Sequence, residues 1–202
     1  MQTAVAAWFL LTVSAASPAS PTEVVQLAVE QVMRLMQDSE RLAAAAEQRR
    51  FEIRRIANRV FDFTEMARRS LGRHWSDWTS QQREEFVQLF SGLLERAYFS
   101  KIENYAGERI VYNGETVEGE FATVRSKIIG RKAEIPVDYQ LHLVGSRWAV
   151  YDVHIEGVSI VGNYRAQFNQ IIQTSSYDNL IRKMRLKQRE TTSFERNGRK
   201  LD

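Results

Sequence analysis

The apolar residues of this chain change their period near Tyr105, and that change decides the fold class. Before it, apolar positions recur every three to four residues. Phe86, Phe90, Leu93 and Ala97 mark one face of a helix of about 20 residues, widened by Leu89, Leu94 and Tyr98. After it, apolar and polar residues alternate. Val137, Tyr139, Leu141 and Leu143 point one way, and Asp138, Gln140 and His142 the other. Ala122, Val124, Ser126 and Ile128 behave likewise. The spacing predicts strands over Arg109 to Asn113, Glu120 to Ile129, Ile135 to Val144 and Arg147 to Ile155. Their expected turns are Asn113-Gly114, Gly130-Arg131-Lys132 and Gly145-Ser146. Connections this short demand antiparallel neighbours. The middle of the chain is therefore a β-meander.

Helices flank it. Ser20, Pro21 and Glu23 read as a capped start, followed by Val25, Val29, Val32, Met33 and Met36 at helical spacing. Asp62 with Glu65 marks another start, with Gly72 as its stop. Thr79 to Gln82 is a capping box. Two more helices fit Val161 to Gln173 and Tyr177 to Leu186. The fold class is α+β: N-terminal helices, a curved antiparallel β-meander, then C-terminal helices, with helices packed on one face of the sheet.

With 202 residues, 44% of them hydrophobic, the chain can build one real core. Its net charge of +3 is too small to imply nucleic acid. Between Leu180 and Asp202 there are eight Lys/Arg against three Asp/Glu, so residues 188–202 read as a flexible basic tail. Cysteine is absent, which excludes disulfides, cysteine-based zinc sites and thiol nucleophiles. Ala4 to Ala16 is an apolar run too short to span a bilayer, followed by small residues around Ala19. Residues 1–19 are read as a signal peptide despite lacking a preceding Lys or Arg. The expected location is periplasmic.

Candidate chemistry is sparse. Asp152, His154 and Glu156 alternate along a strand and would share a face, where they could bind a metal or orient a base. The plainer reading is a solvated strand face opposite Tyr151, Val153 and Ile155. Neither a phosphate loop nor a nucleophile elbow is present. The arginines 49, 50, 54, 55, 68, 69 and 73 could meet phosphates, but such runs are more often solvated helix faces. No catalytic residue, metal site or cofactor is assigned. Aromatics suit an ordinary core, and periodicity cannot separate a filled core from a hollow one.

Two stretches resemble the MlaC family of toluene-tolerance, or auxiliary phospholipid-transport, proteins. The first is Phe61-Asp62-Phe63, Met66 to Arg69, Leu71-Gly72 and Trp75, leading to Gln82, Phe86 and Leu89-Phe90. The second is Trp148, Tyr151-Asp152-Val153, Ile155 to Ser159, and Asn163-Tyr164-Arg165 with Phe168. The resemblance implies a lipid-binding domain over residues 20–187, with a lipid cavity between sheet and helices. It implies a non-enzymatic periplasmic carrier of phospholipid, the soluble component of an ABC transport system. Its partners would be an inner-membrane MCE-domain ABC complex and an outer-membrane lipoprotein/porin complex. A related branch, the HpnM-type proteins, is associated with hopanoids. Strand alternation together with this resemblance nominates Val124, Ile128, Tyr139, Leu141, Tyr151, Val153, Tyr164 and Phe168 as pocket wall or its support. Helices following Gly157 and Gly162 are expected to gate it. The competing functions are an enzyme using the Asp152/His154/Glu156 face, and a protein-interaction module with a filled core.

Overall fold

The structure is a computed structural model, and it describes residues 19–37, 46–104, 107–131 and 133–198. All but the end of the expected signal peptide lies outside the described residues. Four helices precede the sheet: α1 (Pro21–Gln37), α2 (Ala46–Val60), α3 (Phe63–Leu71) and α4 (Ser80–Glu103), with a 3-10 turn at Gly72–Trp75 after α3. Five strands follow: β1 (Arg109–Glu118), β2 (Phe121–Ile129), β3 (Glu134–Val144), β4 (Arg147–Ile155) and β5 (Val158–Ser159). They pair in chain order, every neighbour antiparallel. Two helices close the chain, α5 (Ile160–Thr174) and α6 (Tyr177–Gly198). The fold is α+β, as the change of period requires.

The helix starts follow from local chemistry. Asp62 Oδ1 accepts from the Glu65 amide and caps α3. Thr79 and Gln82 form a reciprocal capping box at α4. Ser20 and Glu23 exchange the same pair of bonds at α1. Gly72 ends α3 at φ +56°, where a side chain would be strained.

Three expectations about the later elements are corrected. Asn113-Gly114 is not a turn. Tyr112 pairs with Ser126 and Glu115 with Val124, so one extra residue bulges out and the strand continues to Glu118. Gly114 takes the positive φ that the bulge needs. The hairpin turns instead at Gly119. A second bulge separates the Gln140–Asp152 pair from the Leu141–Val150 pair. It moves Tyr151 off the face of Val153 and Ile155. Finally, α6 runs to Gly198 rather than stopping near Leu186. Lys, Arg and Glu, frequent in this segment, have high helix propensity.

The core is one cluster shared by helices and sheet. Phe86 and Phe90 of α4 are fully buried, and they meet Phe168 of α5 at 5.5 and 5.8 Å between ring centres. From the sheet come Val124, Leu141 and Val150, also fully buried. α1 lies across β1 and β2, while α3 and α5 lie against β4. The outer face of β2 and β3 carries polar pairs such as Thr123 with Gln140. β4 differs, because Ala149 and Asp152 on that outer side are buried as well.

Candidate functional site

The sheet face that meets the helices changes character along its length. Toward the β1–β2 turn it is packed solid, with Ala122, Val124 and Leu141 at most 4% exposed. Toward the other end, Ile110, Ile128, Ile135, Tyr139 and Ile155 are only half-buried. The pairings Ile110–Ile128, Ile128–Ile135 and Val137–Ile155 put these residues on the same face as Val124 and Leu141.

α1 follows the same gradient. Its N-terminus is pinned where the sheet is tight: the Thr22 amide and hydroxyl both donate to Glu115 Oε2, at 2.7 and 2.6 Å. Val25 is buried there. Val29, Val32, Met33 and Met36, further along the same stripe, are only half-buried. At 1.5 Å rise per residue against about 3.3 Å in a strand, the C-terminal half of α1 reaches toward Ile110 and Ile128. The helix and sheet are therefore closely packed at one end and less so at the other.

Tyr139 stands in this less tightly packed stretch. Burial pushes its phenol up to about 12, with Ser126 opposing the rise, while the residue as a whole is only half-buried. Three further tyrosines are raised above the ordinary value. Tyr112 is raised by burial, by Tyr139 and by Glu30. Tyr98 is raised by burial and by the Asp152 carboxylate. Tyr164 is raised by burial and Tyr98, with Arg96 opposing.

The sequence-nominated residues divide by position. Ile128 and Tyr139 border the accessible part of the face. Val124, Leu141 and Val153 share that face but are buried in the packed core. Phe168 sits in the aromatic cluster of α4 and α5, and Tyr164 packs edge-on to Phe90 at its rim. Tyr151 lies on the opposite side of the sheet. The Arg69 guanidinium covers its ring at 3.9 Å, and the ring meets Phe121 and His142. The bulge in β4 is the cause, since one inserted residue reverses the alternation. Ile110, Ile135 and the α1 methionines were missed. Their apolar periodicity was visible, but whether they are covered depends on packing between distant segments.

Of the Asp152/His154/Glu156 arrangement only Asp152 and His154 come together. Glu156 occupies the tight turn before β5 at φ +51° and is exposed. Asp152 is buried rather than solvated, and its carboxylate organises the start of α5. Oδ1 accepts from the Val153 and Val161 amides, and Oδ2 from the Ser159 hydroxyl. Ser159 in turn accepts from the Gly162 amide as N-cap. His154 Nε2 stands 3.3 Å from Asp152 Oδ2, the same oxygen that accepts from the Ser159 hydroxyl. An added Cβ at Gly162 would lie 2.9 Å from Ser159 Oγ, so that glycine permits close approach at the N-cap. The arginine clusters are engaged within the protein. Arg54 pairs with Glu95, Arg49 with Glu103, Arg55 with Glu52, and Arg68 and Arg69 with Glu65. Among the described residues no helix is long and apolar enough to cross a membrane.

Comparison with known proteins agrees with this architecture. The family model described as MlaC protein matches residues 26–186. The intermembrane phospholipid transport system binding protein MlaC of Haemophilus influenzae is 28% identical over 120 residues, 56% of each chain. The toluene tolerance protein ttg2D of Pseudomonas putida is 28% identical over 102 residues, 50% of this chain and 47% of that one. The chain thus matches about half the length of these curated relatives. A phospholipid-binding protein from Ralstonia solanacearum, solved in complex with a phospholipid, superposes with a TM-score of 0.77. That alignment covers 85% of this chain and 98% of the other, at 22% identity.

Proposed function

This chain belongs to the MlaC family, and from that premise we propose that it is a periplasmic phospholipid carrier and not an enzyme. The observation that carries the reading is the run of half-buried apolar residues, Ile110, Ile128, Ile135 and Ile155 on one sheet face and Val29, Val32, Met33 and Met36 on α1, beside a tightly packed core. A loosely covered apolar face of this kind suits hydrocarbon and offers little to a polar substrate.

Transfer energetics then supply the mechanism. Each methylene buried from water is worth about 0.8 kcal/mol, so two tails of about 16 carbons cost on the order of 20 kcal/mol to expose. A lipid does not cross an aqueous gap unaided at a useful rate. A protein hollow replaces the bilayer at nearly matched free energy, and no covalent step is needed. Loading and unloading would be biased by docking on an inner-membrane MCE-domain ABC complex and an outer-membrane lipoprotein/porin complex. The relatives' names support intermembrane phospholipid transport as the setting.

Organic extraction of the purified, natively folded protein, followed by mass spectrometry, tests the reading. Co-purifying phospholipid at near one per chain is the expected result. An extract free of lipid, from protein that also takes up none from vesicles, would overturn it.

A further inference from the structure

One polar atom on the inner sheet face has no hydrogen-bond partner. The Tyr112 hydroxyl oxygen is sealed from solvent and bonded to nothing. Its strand partner Ser126 points to the same side. The polar groups around it are already committed. Ser126 Oγ donates to the Val137 carbonyl at 2.8 Å. Glu30 of α1 is close enough to disfavour ionisation of Tyr112. Its carboxylate accepts from Gln26 at 2.9 Å and faces Arg34 at 4.0 Å. Leaving a buried hydroxyl unpaired is costly, and most such groups in folded proteins are paired.

The ring carrying this hydroxyl is only half-buried. A swing about χ1 would turn the oxygen toward the half-buried apolar face of Ile110 and Ile128. What it meets there must be an uncharged acceptor. A phosphate or free carboxylate would be repelled by Glu30 and would carry a large desolvation cost at this depth. In a phospholipid, the neutral acceptors at the junction of head and tails are the acyl ester carbonyls.

We propose that Tyr112 is a specificity-determining residue whose hydroxyl donates to an acyl ester carbonyl of the bound lipid. The contact sets how deep the tails sit and discriminates ester-linked from ether-linked chains. This rests on the carrier reading above, and the test separates the two.

The full chain is exposed to vesicles containing equal amounts of diacyl and dialkyl phosphatidylethanolamine of matched chain length. It is then re-isolated, and bound lipid is counted by mass spectrometry. One neutral hydrogen bond predicts a diacyl preference of roughly three- to tenfold. Tyr112→Phe should take both species equally, its diacyl loading falling toward the dialkyl level. Tyr139→Phe should keep the preference, because it leaves the Tyr112 hydroxyl in place. A wild-type protein that loads both species without preference, or a Tyr112→Phe protein that keeps the preference, overturns the role of Tyr112 and leaves carriage intact. A wild-type protein that loads neither overturns carriage and this proposal together.

Discussion

Asp152 and Ser159 are joined by a 2.5 Å hydrogen bond across the β4–β5 turn, and that bond ties the last long strand to the start of α5. The hydroxyl donates to Oδ2, while Oδ1 holds the Val161 amide at 3.0 Å. The helix N-terminus therefore presents the Val161 amide to a buried carboxylate and the Gly162 amide to Ser159 Oγ, an arrangement the helix dipole favours.

Replacing Asp152 with Ala should remove these bonds together and destabilise the protein by about 2–3 kcal/mol. Asp152→Asn should cost less. Its oxygen can still accept from Val161, and its amide can donate to Ser159 Oγ. Urea denaturation of the two variants measures the difference. Lipid content at a temperature where Asp152→Asn is folded should match wild type. A large loss of function without loss of stability would point to a chemical role for Asp152 instead.

Glu65 supplies a pH-dependent contribution. Burial alone would raise its carboxyl, but hydrogen bonds and charge from Arg68 and Arg69 outweigh that and hold it below its usual value of 4.5. A lowered folded-state value means that the carboxylate stabilises the fold above about pH 4.5. The contribution is lost as pH falls through the lower folded value. Glu65→Gln should therefore melt below wild type at neutral pH. The gap should close on acidification below that range. Thermal melts of both proteins across pH 2–7 check the sign.

How much of this was legible in the sequence depended on the range of the interaction. Caps at Ser20, Asp62 and Thr79 act over three residues, and each formed where its residue types called for it. Strand alternation located every long strand. The two bulges broke the reading, because Asn113-Gly114 satisfies a turn and a bulge equally well. Nothing local marks Tyr151 as the residue that reverses its strand's faces. Burial of Asp152 was hidden for a different reason. Its partners Ser159 and Val161 lie beyond a turn, so strand periodicity said nothing of them. Which apolar residues stay uncovered is set by how α1 lies over the sheet, a relation between segments nearly 100 residues apart.

Phe90 anchors the helical half of the core. It stacks on Phe86 at 5.8 Å and meets Tyr164 and Phe168 edge-on. Phe90→Ala would leave a cavity where aromatic rings now meet. A loss of about 3–5 kcal/mol is expected from the removed surface and the void together. Chemical denaturation measures it. A loss below 1 kcal/mol would mean that the helices reclose over the gap and that the cluster is softer than its geometry implies.

Val124 and Ile128 lie on the same strand face, yet they should respond oppositely to added volume. Val124 is fully buried beneath the helices, whereas Ile128 keeps accessible surface at the looser end. Val124→Trp has nowhere to put an indole, and overpacking should cost about 1–3 kcal/mol or more. Ile128→Trp can extend over the half-buried face beside Tyr139, where the extra ring replaces apolar surface a lipid tail would otherwise cover. Its stability should stay within about 1 kcal/mol of wild type, while its bound phospholipid falls several-fold. Denaturation midpoints and extracted lipid per chain, measured on the same preparations, separate the two effects. If Ile128→Trp loads lipid as wild type does and remains equally stable, the hydrocarbon does not enter along this face.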